Sequence, residues 1–111
     1  MNAPSNIEEH ALNYFRKKGY KVERDIVLEG SSGISHRFDL IVTRSSNRRG
    51  VRILNWKRTV GVNVVIKLDK ASEDVNFRRP ILISNKFSSH AKAYANRKSI
   101  LLLTRQDIRR F

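Results

Sequence analysis

Asp39 is the sole acid between Glu29 and Asp69, and it sits in an apolar run, Phe38-Asp39-Leu40-Ile41-Val42. A second strand-like run, Val51 to Lys57, follows it and carries Asn55 and Lys57 near its end. A carboxylate on one strand and a lysine on the next suit phosphoryl chemistry. The carboxylate holds a divalent cation that activates water, and the ammonium stabilises the charge that develops on the phosphate. The plainer alternative is a structural acid paired with Arg37 or Arg52. The two readings differ in whether Asp39 stands alone or within a patch.

The surroundings favour a polyanionic substrate. Lysine and arginine number 23 against 10 acids, a formal net charge of +13 over 111 residues. From Leu40 to Leu68 there is no acid, while Arg44, Arg48, Arg49, Arg52, Lys57, Arg58 and Lys67 all fall there. Such a field attracts DNA or RNA. Arg44, Arg48, Arg49 and Arg58 are the expected phosphate contacts, because the segment joining the two runs is polar throughout. A basic RNA-binding or ribosome-associated domain is the competing class. The chain has no cysteine, which excludes disulfides and thiolate metal sites and fits a cytoplasmic protein. No signal-peptide pattern or membrane-length apolar run is visible, so no membrane partner is expected.

The elements that must position this pair can be read along the chain. The length suits one domain, residues 1–111. Ser5 and Glu8 form a capping box, and Ile7, Ala11, Leu12 and Phe15 recur at helical spacing up to Gly19. Tyr20 to Leu28 reads as a first strand and Ser35 to Arg44 as a second. Ser45 to Gly50 reads as a polar turn and Val51 to Lys57 as a third strand. With Arg44 paired near Gly50, Asp39 falls almost opposite Asn55, with Cβ atoms ~4.5–5.5 Å apart. Asn55 and Lys57 would then share one face and Trp56 take the other. An amphipathic helix follows from Val60 to Val75, although Gly61 to Ile66 also suits a strand. Ile81 to Ser84 and Ile100 to Thr104 are buried strands, separated by a helix capped at Ser88 or Ser89. Arg105 to Phe111 is a polar tail or a short helix. The expected fold class is α/β, a mixed central sheet flanked by helices on both faces.

The αβββαβ order, the strand acid and Asn55-Trp56-Lys57 resemble the PD-(D/E)xK nuclease superfamily. Within it the chain is similar to archaeal Holliday-junction resolvases and Mrr-type restriction endonucleases over roughly Ile7 to Leu103. Gly30 to Asp39 is similar to the Gly-rich approach to the first catalytic acid of that group. The resemblance implies a DNA endonuclease using Mg²⁺ or Mn²⁺, and a two-fold homodimer. Asp39 and Asn55 would then ligate metal, with Lys57 catalytic. Asn55 departs from the family pattern, where an acid or Gln precedes x-Lys. A neutral amide lacks the charge that a hard cation prefers, which implies weakened or lost catalysis. Glu9 of the first helix, freer than Glu8, could supply the missing charge or merely compensate the helix dipole. Ser32 and Gly33 could bring backbone amides to a phosphate or form a mere turn. His36 reads as a hydrogen-bond post or a contact to DNA.

Overall fold

The computed structural model describes residues 6–109. The helical spacing of Ile7, Ala11, Leu12 and Phe15 gives α1 (Asn6–Lys17), which buries all four against the sheet. The expected cap at Ser5 lies outside the described residues. The chain continues as β1 (Lys21–Glu29), β2 (Ser35–Arg44), β3 (Asn47–Ile53) and α2 (Val62–Asp74). It closes with β4 (Ile81–Ser84), α3 (Ser89–Lys98), β5 (Leu101–Thr104) and α4 (Arg105–Arg109). Gly61 to Ile66 thus resolves as helix from Val62 on, with Gly61 at the N-cap and Val65, Leu68, Ala71 and Ser72 turned inward. Of the two candidate caps of α3, Ser88 serves, its Oγ accepting the Ala91 N–H at 3.1 Å.

The five strands lie in chain order, β1-β2-β3-β4-β5. The first three run antiparallel, and β3, β4 and β5 run parallel. One face packs Leu40, Val42, Val51, Ile81 and Ile83 under α1 and α4, whose Ile108 is buried. The other packs Phe38, Ile41 and Leu82 under α2 and α3. Asp69, a buried acid of α2, accepts the Tyr94 hydroxyl proton at 2.7 Å and ties α3 to α2. The mixed sheet with helices on both faces is the architecture expected from the sequence.

The hairpin register differs from expectation. Arg44 pairs with Asn47, not with the region of Gly50, and Leu40 pairs with Val51. Only Ser45 and Ser46 make the turn, with φ of 52° and 72°. Two consecutive left-handed residues are the requirement of a tight two-residue hairpin, usually met by Asn or Gly. Gly50 is therefore a strand residue, and its role is close approach. A Cβ there would stand 2.6 Å from the ring of buried Phe38. Gly50→Ala should cost about 1–3 kcal/mol, the usual penalty for overpacking a filled core. Urea unfolding measures it, and an unchanged midpoint would mean the ring has room to move.

Candidate active site

Asp39 sits where the sheet is locally distorted. Phe38 and Ile41 face α2 and α3 whereas Leu40 and Val42 face α1 and α4, so regular alternation breaks around Asp39. Neither ladder pairs Asp39, and Asp25, level with it on β1, has φ 53°. The Asp39 side chain takes over the missing backbone contact. Its Oδ2 accepts the Ile53 N–H at 2.7 Å, and its Oδ1 accepts from Arg37 Nη1 at 3.2 Å. Arg37 also donates to Asp25 at 2.6 Å, and that hydrogen bond, with the charge of Asp39, holds the guanidinium pKa above its ordinary value. Arg52 donates to the Arg37 carbonyl at 2.9 Å. The pairing of Asp39 with Arg37 is present, yet each carboxylate oxygen keeps a lone pair and the side chain stays 22% exposed.

Asn55 does not lie across from Asp39. By the observed register Asp39 is level with Arg52, and β3 leaves the ladder after Ile53. Asn55 follows two residues later, roughly 7 Å along an extended chain. Lys57 lies in an exposed bend, so strict two-residue alternation no longer sets where it points. The reason is the turn: with Ser45 and Ser46 alone in place of the expected Ser45 to Gly50, it slides β3 along β2.

Asn55 instead joins a cluster at the carboxyl ends of the parallel strands. Arg105 Nη2 donates to Asn55 Oδ1 at 2.5 Å, and Arg105 Nε donates to Asn85 Oδ1 at 3.1 Å. The Asn85 amide in turn donates to the Trp56 carbonyl. Ser84 Oγ binds the Leu54 carbonyl at 2.7 Å and holds the start of this segment. Arg105 and Asn85 were not singled out in the sequence. Their signal is position: each is the first residue after a parallel strand, the end at which open α/β sheets bind ligands.

The glycine-serine loop has a structural task. Asp74, at the end of α2, accepts the Ser32 amide at 2.9 Å and the Ser32 hydroxyl at 2.6 Å, and lies 2.6 Å from His36 Nε2. Gly30 leaves room for that carboxylate, since a Cβ there would fall 2.0 Å from Asp74 Oδ2. Ser32 and His36 thus latch the β1–β2 loop to α2, and Gly33 turns the loop with φ 89°.

The Ser32 hydroxyl, then His36 and the Ser32 amide, hold the Asp74 carboxyl down to about 2 from an ordinary 3.8. A depressed folded-state pKa gives stability that is full above 3.8 and lost as pH falls toward 2. Asp74→Asn should therefore flatten the acid limb of a stability–pH curve in that window. A limb as steep in the variant as in the wild type would remove Asp74 from the acid response.

The remaining expected residues are dispersed. Glu8 pairs with Arg24 at 3.0 Å, whereas Glu9 is exposed on α1 and makes no ion pair among the described residues. Arg58 stacks on Trp56 at 4.2 Å beside Lys57. Arg44, Arg48 and Arg49 lie in strands at the far end of the hairpin, not in a polar turn. Among the described residues no three His, Cys, Asp or Glu side chains converge as a metal cluster. The donor set still fits a hard cation of the Mg²⁺ kind, which needs one or two carboxylates and completes its shell with water and substrate oxygens. Asp39 would be that carboxylate, fixed in orientation by the Ile53 N–H.

A mixed sheet in this order, between two helical layers and with an acid at a distortion of its second strand, defines a restriction-endonuclease-like fold. The chain belongs to the Mrr_cat restriction endonuclease family, whose model it matches over residues 2–111. It is therefore a nuclease-type domain. Among solved structures it is similar to a protein of unknown function, AF1548, at 19% identity and TM-score 0.77, covering 88% of this chain and 56% of that one. A repair endonuclease from Pyrococcus abyssi is similar at 15% identity and TM-score 0.65, over 94% of this chain and 48% of that one. EndoMS in its apo form is similar at 18% identity and TM-score 0.56, over 94% and 47%. These likenesses are of fold, and the chain spans about half the length of each structure. No curated protein matches the chain.

Proposed function

We propose that this domain hydrolyses phosphodiester bonds in DNA with the help of Mg²⁺ or Mn²⁺. The observation that carries the reading is Asp39, a part-exposed carboxylate whose hydrogen bond to Ile53 fixes it beside the segment leading to Asn55 and Lys57. A bound cation would be held by Asp39, with Asn55 a neutral second ligand, and would supply Lewis acidity and an acidified water. Lys57 provides a mobile ammonium for the non-bridging oxygens as negative charge grows on them. Arg58, stacked on Trp56 next to it, positions the substrate backbone. The sheet topology favours this reading over that of a basic RNA-binding or ribosome-associated domain.

A second reading, a DNA-binding module of nuclease fold, is favoured by one contact. Arg105 already occupies the Asn55 oxygen, so the second ligand position is engaged by a cation of the protein itself. Incubation with linear, flapped and four-way-junction DNA separates the two, with Mg²⁺, with Mn²⁺ and with chelator. Metal-dependent products support the hydrolase; tight binding without products supports the module. A homodimer remains part of the proposal. Edge strand β1 carries exposed Val27, and the adjoining loop exposed Ile34, a surface that a two-fold pair would cover.

A further inference from the structure

Five arginines gather at the end of the β2–β3 hairpin away from Asp39. Arg44, Arg48 and Arg49 come from the hairpin, and Arg78 and Arg79 from the α2–β4 loop facing it. They line a cleft of about 540 Å³ to which no acid contributes. Their contacts are with neutral groups. Arg44 stacks on Tyr20 at 4.5 Å and donates to the Lys18 carbonyl at 3.0 Å. Arg48 stacks on Phe77 at 4.9 Å, and Arg49 donates to the Arg79 carbonyl at 2.7 Å. Among the described residues none of the five is in an ion pair. Like charges assembled without a counter-charge repel one another, and an anion seated among them relieves that repulsion.

The walls are preformed. Ser45, Ser46, Asn76 and Arg79 all have positive φ, at 52°, 72°, 63° and 53°. Non-glycine residues hold such conformations where the surrounding structure imposes them. Here Phe77 N–H donates to the Ser72 carbonyl at 2.9 Å, and the Ser72 hydroxyl donates to the Phe77 carbonyl at 2.8 Å. The loop that carries Arg78 and Arg79 is thereby tied to buried Ser72 of α2. Planar guanidinium groups held in this way match phosphate oxygens in a fork geometry that lysines cannot reproduce.

The geometry points to a second phosphate-binding site, which grips the DNA backbone away from the position where the strand would be cut. Arg44 lies five residues along β2 from Asp39, about 17 Å at strand rise. On duplex DNA that span corresponds to about five base pairs. The occupant is an arm of duplex flanking the scissile position. This rests on the proposed action on DNA for the nature of its ligand, not for the existence of the cleft.

The test is binding in excess chelator, so that cleavage plays no part. Fluorescence anisotropy with a 20-base-pair duplex over 50 to 300 mM salt (roughly the range in which counterion release dominates) compares four chains. The double variant Arg48→Ala with Arg78→Ala, one residue from each wall, should lose about tenfold or more in affinity and flatten the log–log salt slope by about two. Arg48→Lys with Arg78→Lys should keep the slope while losing affinity, because charge is retained and the fork is not. Asp39→Asn should bind at least as well as wild type. A double alanine variant with the wild-type slope overturns the proposal, as does a lysine variant that loses slope equally. Wild-type protein that binds no duplex also overturns it. Intact binding without cleavage in Mg²⁺ overturns only the hydrolase reading.

Discussion

Asp39→Asn should abolish metal-dependent cleavage of DNA while leaving the fold in place. The amide keeps an oxygen to accept the Ile53 N–H at the position of Oδ2, so the local distortion of β2 is retained. What it loses is the anionic charge on which a hard cation held at Asp39 would depend. Lys57→Ala leaves the carboxylate untouched and should lower the rate by about 10²–10³, the usual loss when one donor to a developing oxyanion is removed. Nicking of supercoiled plasmid in Mn²⁺, with circular dichroism to verify folding, measures both. Cleavage that persists in either variant at the wild-type rate, or in excess chelator, would end the catalytic reading.

The second large effect concerns Asn55 and its partner. Glutamate at this position restores the second acid of the family pattern, but the first charge it would meet is Arg105, whose Nη2 stands 2.5 Å from the present amide oxygen. A carboxylate there forms a charge-assisted hydrogen bond with the guanidinium, and the pair is close to neutral. Asn55→Glu alone should therefore raise Mn²⁺ affinity little. Combined with Arg105→Gln, it should raise affinity on the order of tenfold, as each added anionic ligand strengthens a hard-cation site. Calorimetric titration of the two variants with Mn²⁺ gives the comparison. A single variant that gains as much as the double would show that Arg105 does not compete for this position.

What the sequence made legible is what local patterns encode. The helical spacing of Ile7 to Phe15, the apolar runs of β2, β4 and β5 and the acid-free basic stretch led to the layered mixed sheet and the nuclease family. The register of the hairpin was not legible, because the usual turn residues misdirect. Gly50 looks like the turn glycine, yet the turn falls on two serines and Gly50 clears the Phe38 ring. The partners of the site residues were also hidden. Asn55 meets Arg105 across 50 positions, and His36 meets Asp74 across 38. Such contacts follow from the closure of the sheet, and short-range periodicity carries no trace of them. Asp39 could be picked out as a lone strand acid. Its bond to a backbone amide follows from the break in alternation, which no pattern of residue types announces.

The strand order has a consequence for how the molecule is made. Every strand of the sheet lies beside the one synthesised just before it, and no later strand is inserted between earlier ones. Each new strand therefore finds its partner already waiting at a single growing edge, and the loops that must close are the short ones given by the hairpins and the βαβ units. A chain leaving the ribosome can lay down β1 to β5 in succession, with the exposed edge moving from β2 to β3 to β4 as it goes. The Asn55–Asn85–Arg105 cluster draws one residue from just beyond each of the last three strands. It is complete only when β5 has docked and α4 has begun, so the candidate site is assembled last, on a sheet that is otherwise finished.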